Sequence, residues 1–165
     1  AWRPLRVVTR VFRVEEKDAW FEARPASGGE LFLRYLLDYG AEGPIGRQSF
    51  GLSFDTENFC RELAPCRTFM LQSEADKLLA MGLGTRTTTK DLLVFGENGP
   101  IDNTLRFPDE CVRHKLMDMV GDLALAGCDF VGRFCAYRSG HRLNAELTKT
   151  ILLQTESLET VRRCA

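Results

Sequence analysis

The sequence holds two histidines, and each stands beside residues with which an imidazole does chemistry. His114 lies in Cys111-Val112-Arg113-His114-Lys115-Leu116-Met117-Asp118, with Asp122 after it. His114, Asp118 and Asp122 are spaced by four, which on an α-helix stacks them on one face. An imidazole and a carboxylate one turn apart can chelate a single zinc ion. His141 closes Tyr137-Arg138-Ser139-Gly140-His141 after a strand-like run. Taken singly, these residues also have plain readings, because short motifs recur by chance. His-x-x-x-Asp pairs are common on solvated helix faces, and Asp122 reads equally as a surface charge. His141 could cap the last helix. Cys111 precedes His114 by three and offers a sulfur, but nothing else in the chain completes a Cys/His zinc pattern. Thr68 reads as a strand-end hydroxyl, Phe69 as core, Tyr39 as core or edge packing, and Lys115 as a solvated helix charge.

These residues need elements to hold them. The helix carrying His114 is the best signalled. Pro108 is a favourable first residue, and Asp109 and Glu110 face the positive end of the helix dipole. Gly127 can close it in a left-handed conformation. Val112, Leu116, Met119, Val120 and Leu123 form its buried stripe. At about 100° per residue, His114, Asp118 and Asp122 fall roughly opposite that stripe. The histidine face therefore looks to solvent or a cleft, away from the helix's own core. Phe130 to Tyr137 predicts a strand, and Arg142 to Leu153 a final helix with Leu143, Leu147 and Ile151 inward.

The first half reads as β. Leu5 to Val14 predicts one half-exposed strand, and Ala19 to Arg24 another after the charged turn Glu15-Glu16-Lys17-Asp18. Gly28-Gly29 marks a turn. Leu31, Leu33, Tyr35, Leu37 and Tyr39 fall on one strand face. After the loop from Gly40 to Gly46, Phe50, Leu52 and Phe54 alternate with a period of two. Short turns between these strands suggest an antiparallel meander. Asp55 resembles an N-cap of a short helix to Leu63, ended by Pro65. Ser73 to Met81 predicts a second helix with Ser73 as N-cap and Asp76 at the capping-box position. Thr85 to Asp91 is a polar loop, Leu92 to Phe95 a short strand, and Asn98-Gly99-Pro100 a turn.

At 165 residues one domain is expected, long enough to bury a core. A net charge of −1 argues against a generic nucleic-acid surface. No apolar run approaches the roughly 18 residues that suggest a membrane span, and there is no signal-peptide pattern. The six cysteines (Cys60, Cys66, Cys111, Cys128, Cys135 and Cys164) show no framework spacing. Scattered thiols fit a reducing compartment, with the cytoplasm as the default. The sequence starts at Ala1-Trp2, in strand-like sequence, and reads as a piece of something longer.

The motifs together resemble one family. Asp109-Glu110-Cys111-Val112-Arg113-His114-Lys115, Asp118, Gly121-Asp122-Leu123, Gly132-Arg133 and Tyr137-Arg138-Ser139-Gly140-His141-Arg142-Leu143-Asn144 follow in order. Lys17-Asp18-Ala19-Trp20-Phe21-Glu22, Leu37-Asp38-Tyr39, Pro44-Ile45-Gly46-Arg47-Gln48 and Cys66-Arg67-Thr68-Phe69 agree. Nearly the whole chain resembles the C-terminal domain of the zinc-dependent UDP-3-O-acyl-N-acetylglucosamine deacetylases of lipid A synthesis in Gram-negative-type bacteria. The resemblance implies an α+β fold: a two-layer sandwich of a mixed, largely antiparallel sheet with helices on one face. A small βαβ insert would run from about residue 67 to 95, and residues 1–165 would form the second domain.

The resemblance also implies roles. His114 and Asp118 would be two of three protein ligands to a catalytic zinc, which activates a water against the acetamide carbonyl. Thr68 would steady the oxyanion. A cationic His141 would protonate the leaving amine, and Asp122 would orient it. Lys115 would lie near the diphosphate, and Arg138 stands where the family usually has lysine. Phe69 would pack on the sugar or acyl chain, and Tyr39 would offer an aromatic face to uracil. The family's third zinc histidine and its glutamate base belong to an N-terminal domain. This sequence has no third histidine, so that half would be absent and the isolated chain inactive. The family's Gly-Gly-Ser-Leu-Asp-Asn segment beside the acyl passage is replaced by Arg86-Thr87-Thr88-Thr89-Lys90-Asp91, which leaves acyl-chain preference open. Cys111 stands where the family often has phenylalanine. The alternative is a non-catalytic module that keeps the fold and binds a nucleotide sugar or a partner. The set His114, Asp118, Asp122, His141 and Thr68 disfavours it, because binding alone does not need that chemistry.

Overall fold

A computed structural model describes residues 3–155 of the chain. Ala1, Trp2 and Cys164 lie outside the described residues. Strands β1 (Leu5–Val7), β2 (Phe12–Glu16), β3 (Ala19–Arg24), β4 (Leu31–Asp38) and β5 (Arg47–Ser53) come first. A short helix α1 (Thr56–Asn58) continues as a π turn, Phe59–Leu63. Then follow β6 (Thr68–Leu71), α2 (Gln72–Ala80), β7 (Leu92–Gly96), β8 (Gly99–Pro100), α3 (Glu110–Ala124), β9 (Asp129–Tyr137) and α4 (His141–Gln154).

The main sheet has the order β2-β3-β9-β4-β5, with β1 pairing β9. It is mixed. β9 runs antiparallel to β3 and parallel to β1 and β4, while β2–β3 and β4–β5 are antiparallel hairpins. The expected meander is therefore corrected: β3 and β4 do not pair, because β9 lies between them. Phe130, Phe134 and Ala136 bury the inner face of β9 at the sheet centre, where its backbone groups need partners on both edges. The single strand expected from Leu5 to Val14 is two, β1 and β2, broken at residues 8–11. Val8 then packs against β9 so closely that a Cβ on Gly132 would sit 2.8 Å from it. Only glycine admits that approach.

Helices cover one face. α3 packs on β4 and β5, α4 on β2 and β3, and the two helices touch. Leu33, Tyr35, Leu37, Phe21, Ala23, Phe134 and Ala136 meet Val112, Leu116, Met119, Leu143, Leu147 and Ile151 in one core. The other sheet face carries the registered pairs Trp20–Tyr137, Glu22–Cys135 and Arg24–Arg133. This is the two-layer α+β arrangement expected.

A second sheet, β6-β7-β8, stands apart, with β6 and β7 parallel and joined through α2. α2 starts two residues earlier than Ser73 would place it. The chain passes from β6 straight into helix, and the Glu74 carboxylate accepts from the Leu71 N–H at 2.9 Å, displacing Ser73 and Asp76 from the cap. At α1 the Asp55 cap is as expected, accepting from the Asn58 N–H at 2.7 Å.

Candidate active site

α3 is fixed in place before its site residues begin. Glu110 is fully buried, not facing solvent at the helix end as its position suggests. Its carboxylate accepts from the Arg67 N–H at 3.0 Å, from Arg67 Nε at 2.9 Å and from the Arg106 N–H at 2.6 Å. Burial works against this charge, but Arg67 and the two backbone donors hold the carboxyl below its ordinary range. The clamp ties the residue before Thr68 to the first turn of α3. Gln48 Oε1 accepts from the Val112 N–H at 3.1 Å, pairing a donor the helix itself cannot. Arg113 is stacked between Phe50 and Phe107, 3.9 and 4.4 Å from the ring centroids.

One turn on, His114 and Asp118 open onto a cavity of about 810 Å³. Tyr39, Thr68, Phe69, Lys115 and Arg138 line the same space, so seven of the nine singled-out residues meet there. Thr68 and Phe69 come from the start of β6. Tyr39 follows β4, and Arg138 follows β9. Arg138 has a φ of 51°, a left-handed turn that swings the chain from β9 toward α4. Its guanidinium pairs with Asp18. Phe69 stands edge-on to His114 at 6.1 Å and to Tyr39 at 5.8 Å.

The His114 Nε2 lies 3.4 Å from Asp118 Oδ1, and Lys115 Nζ donates to Asp118 Oδ2 at 2.8 Å. Burial lowers the His114 pKa, outweighing the pull of the Asp118 charge and the nearby Cys66 carbonyl. Burial thus favours the uncharged ring, the state in which imidazole binds a metal. Its buried Nδ1 has the Cys66 carbonyl nearby but makes no well-formed hydrogen bond among the described residues. A neutral nitrogen and a carboxylate oxygen one turn apart suit zinc in type and spacing. They could fill at most two positions of four, and no group of three such donors occurs among the described residues. Cys111 is not one of them. It is packed in the core, and burial pushes its thiol up to about 12.

Asp122 and His141 sit beside this space, not in its lining. His141 begins α4 and exposes 71% of its side chain. Its Nδ1 meets Asp122 Oδ2 at 2.9 Å and Oδ1 at 3.0 Å.

Other polar residues escaped the sequence reading. Asp38 lines the cavity and accepts from Tyr137 at 2.7 Å, the Gly40 N–H at 2.9 Å and Arg47 at 3.0 Å. These bonds, that from Tyr137 first, pull its carboxyl down to about 2. Tyr35, read as strand core, turns its hydroxyl to the Ser139 carbonyl. Asp38 was signalled by the Leu37-Asp38-Tyr39 run, whereas Tyr35 had only its place in the alternation of β4.

Fold and site thus define a class: an α+β domain whose helix α3 presents a histidine and an aspartate, one turn apart, to a polar cleft. Residues 2–153 match the model of the family described as UDP-3-O-acyl N-acetylglycosamine deacetylase, LpxC, and the chain belongs to that family. Similar curated proteins include the UDP-3-O-acyl-N-acetylglucosamine deacetylases of Brucella ovis, Brucella canis and Brucella melitensis. Each is 41% identical over 157 residues, covering 93% of this chain and 54% of the relative. The chain spans about half the length of the curated relatives it matches.

Proposed function

We propose that this chain is the C-terminal domain of a zinc-dependent amide hydrolase that removes the N-acetyl group from UDP-3-O-acyl-N-acetylglucosamine in lipid A biosynthesis. One observation carries the reading. His114 and Asp118, one helical turn apart, share the lining of a cavity, and no group of three His, Cys, Asp or Glu side chains able to hold a metal occurs among the described residues. Half a metal centre at a domain surface calls for the other half elsewhere. An N-terminal domain of the same chain would contribute the third ligand and the base.

His114 and Asp118 would hold the zinc, which when bound supplies a Lewis acid and a water acidic enough to act near neutral pH. The Thr68 hydroxyl donates to the oxygen on which charge develops. His141 has its Nδ1 engaged by Asp122, so its free nitrogen, Nε2, carries the proton given to the leaving amine. Lys115 and Arg138 put positive charge where a diphosphate would lie. Tyr39 offers a ring to uracil, and Phe69 packs on the sugar or acyl chain. The unit from about residue 67 to 95 acts as the insert. Beside Thr87, Thr88 and Thr89 it encloses an apolar cavity of about 180 Å³ with Met70, Leu78 and Leu92, suited to an acyl chain. All five described cysteines are free, which suits the cytoplasm, and no helix among the described residues is long and apolar enough to cross a membrane.

The test is acetate release from the UDP-linked substrate by zinc-loaded protein. The complete parent chain should release it, and this chain alone should not. Release by this chain alone would overturn the split site. No release by the complete chain would return the protein to the non-catalytic binding reading.

A further inference from the structure

We propose that Asn144 is a positioning residue for the His141–Asp122 pair, holding the carboxylate in the orientation that presents both oxygens to the ring. The inference rests on the reading of His141 as proton donor given above. Asn144 is 1% exposed, on the first turn of α4. Its amide nitrogen donates to Asp122 Oδ2 at 2.8 Å. Its amide oxygen accepts from the Ser139 hydroxyl at 2.6 Å. Ser139 is itself buried, and its carbonyl accepts from the buried Tyr35 hydroxyl.

The chain of bonds has one allowed direction. An ionised carboxylate only accepts, so the amide must turn its NH₂ to Asp122. The amide oxygen then faces Ser139, whose hydroxyl must donate. A reversed amide would set oxygen against carboxylate. The Asp122 side chain has two partners among the described residues, His141 and Asn144. His141 is mostly exposed and cannot anchor the carboxylate. Asn144 can, because it is packed and locked at its other end.

The Asn144 side chain does not hold up its helix. The Asn144 N–H bond to the Gly140 carbonyl, at 3.0 Å, and the Thr148 hydroxyl bond to the Asn144 carbonyl, at 2.8 Å, use backbone atoms. Both survive in Asn144→Ala. Removing the amide therefore acts on Asp122 first.

The test is a double-mutant cycle on the complete, zinc-loaded enzyme. Asn144→Ala should lower kcat by about 10-fold or more, the size of one hydrogen bond to a charged group, with KM and zinc content unchanged. In an Asp122→Ala background the same change should have no further effect, because its target is gone. Ser139→Ala, which only unlocks the amide, should lower kcat by about 2–10-fold and likewise lose its effect without Asp122. This milder variant keeps the test open should Asn144→Ala fail to fold. Wild-type kcat in both variants overturns the proposal. So does an equal loss with and without Asp122, which marks a merely structural role. Asp122→Ala at the wild-type rate instead overturns the underlying reading of the His141–Asp122 pair.

Discussion

His114 sits in the second turn of α3 with 13% of its side chain exposed, while His141 heads α4 with 71% exposed. Each has an aspartate partner, but the partners do different things. Asp118 faces Nε2 across 3.4 Å, too far for a good hydrogen bond and open to a shared ion. Asp122 grips Nδ1 at 2.9 Å and leaves the other nitrogen free. Around His114, burial disfavours the charged ring. His141 instead stands mostly in solvent beside the Asp122 carboxylate. The roles proposed for the two rings, binding a metal and carrying a proton, divide along the same line. Burial and the geometry of the aspartate separate the two tasks.

The sharpest way to break this contrast is to remove His114. In the complete enzyme His114→Ala should abolish tight zinc binding and cost more turnover than loss of an acid–base group, itself about 10²–10⁴-fold. Elemental analysis with steady-state rates would show it, and full zinc retention would take His114 out of the metal centre. His141→Ala should lower kcat by about 10²–10⁴-fold with zinc still bound. Near-normal turnover in that variant would leave the Ser139-Gly140-His141 loop with substrate positioning only. Asp122→Ala should cost less than His141→Ala and leave metal content nearly unchanged. Zinc loss equal to that of His114→Ala would erase the distinction between the two aspartates.

The smallest effect concerns stability. The folded His114 pKa lies below that of the unfolded chain, about 6.5. Below that pH the unfolded chain takes up a proton that the folded chain refuses. Stability present above about 6.5 is therefore lost as pH falls toward the folded value. The metal-free protein should lose Tm between about pH 7 and the folded value, and His114→Gln should flatten that slope. Glu22, Glu62 and Glu110, all held below their ordinary range, act in a separate window below about 4.5. An unchanged slope in His114→Gln would mean that the ring is not held neutral by burial.

Much of this was written locally. In the α3 stripe Val112, Leu116, Met119 and Leu123 are buried and Val120 partly so, and of the residues opposite it His114 and Asp118 line the cavity while Asp122 pairs with His141. Helical period alone settles that, because it assigns each side chain a direction relative to its neighbours. The Asp55 cap, the alternation in β4 and the inward face of α4 are legible for the same reason. Tertiary structure decided what depends on partners far along the chain. β9 lies between β3 and β4 because a strand whose Phe130, Phe134 and Ala136 are buried at the sheet centre needs backbone partners on both edges, and no local pattern names them. Glu110 reads as a helix-end charge until Arg67, 43 residues away, is brought to it. Asn144 reads as an ordinary helix residue until the fold sets it between Ser139 and Asp122, and Tyr35 reaches Ser139 across 104 residues. Periodicity tells a side chain which way to point, but the group it meets there is set by long-range packing.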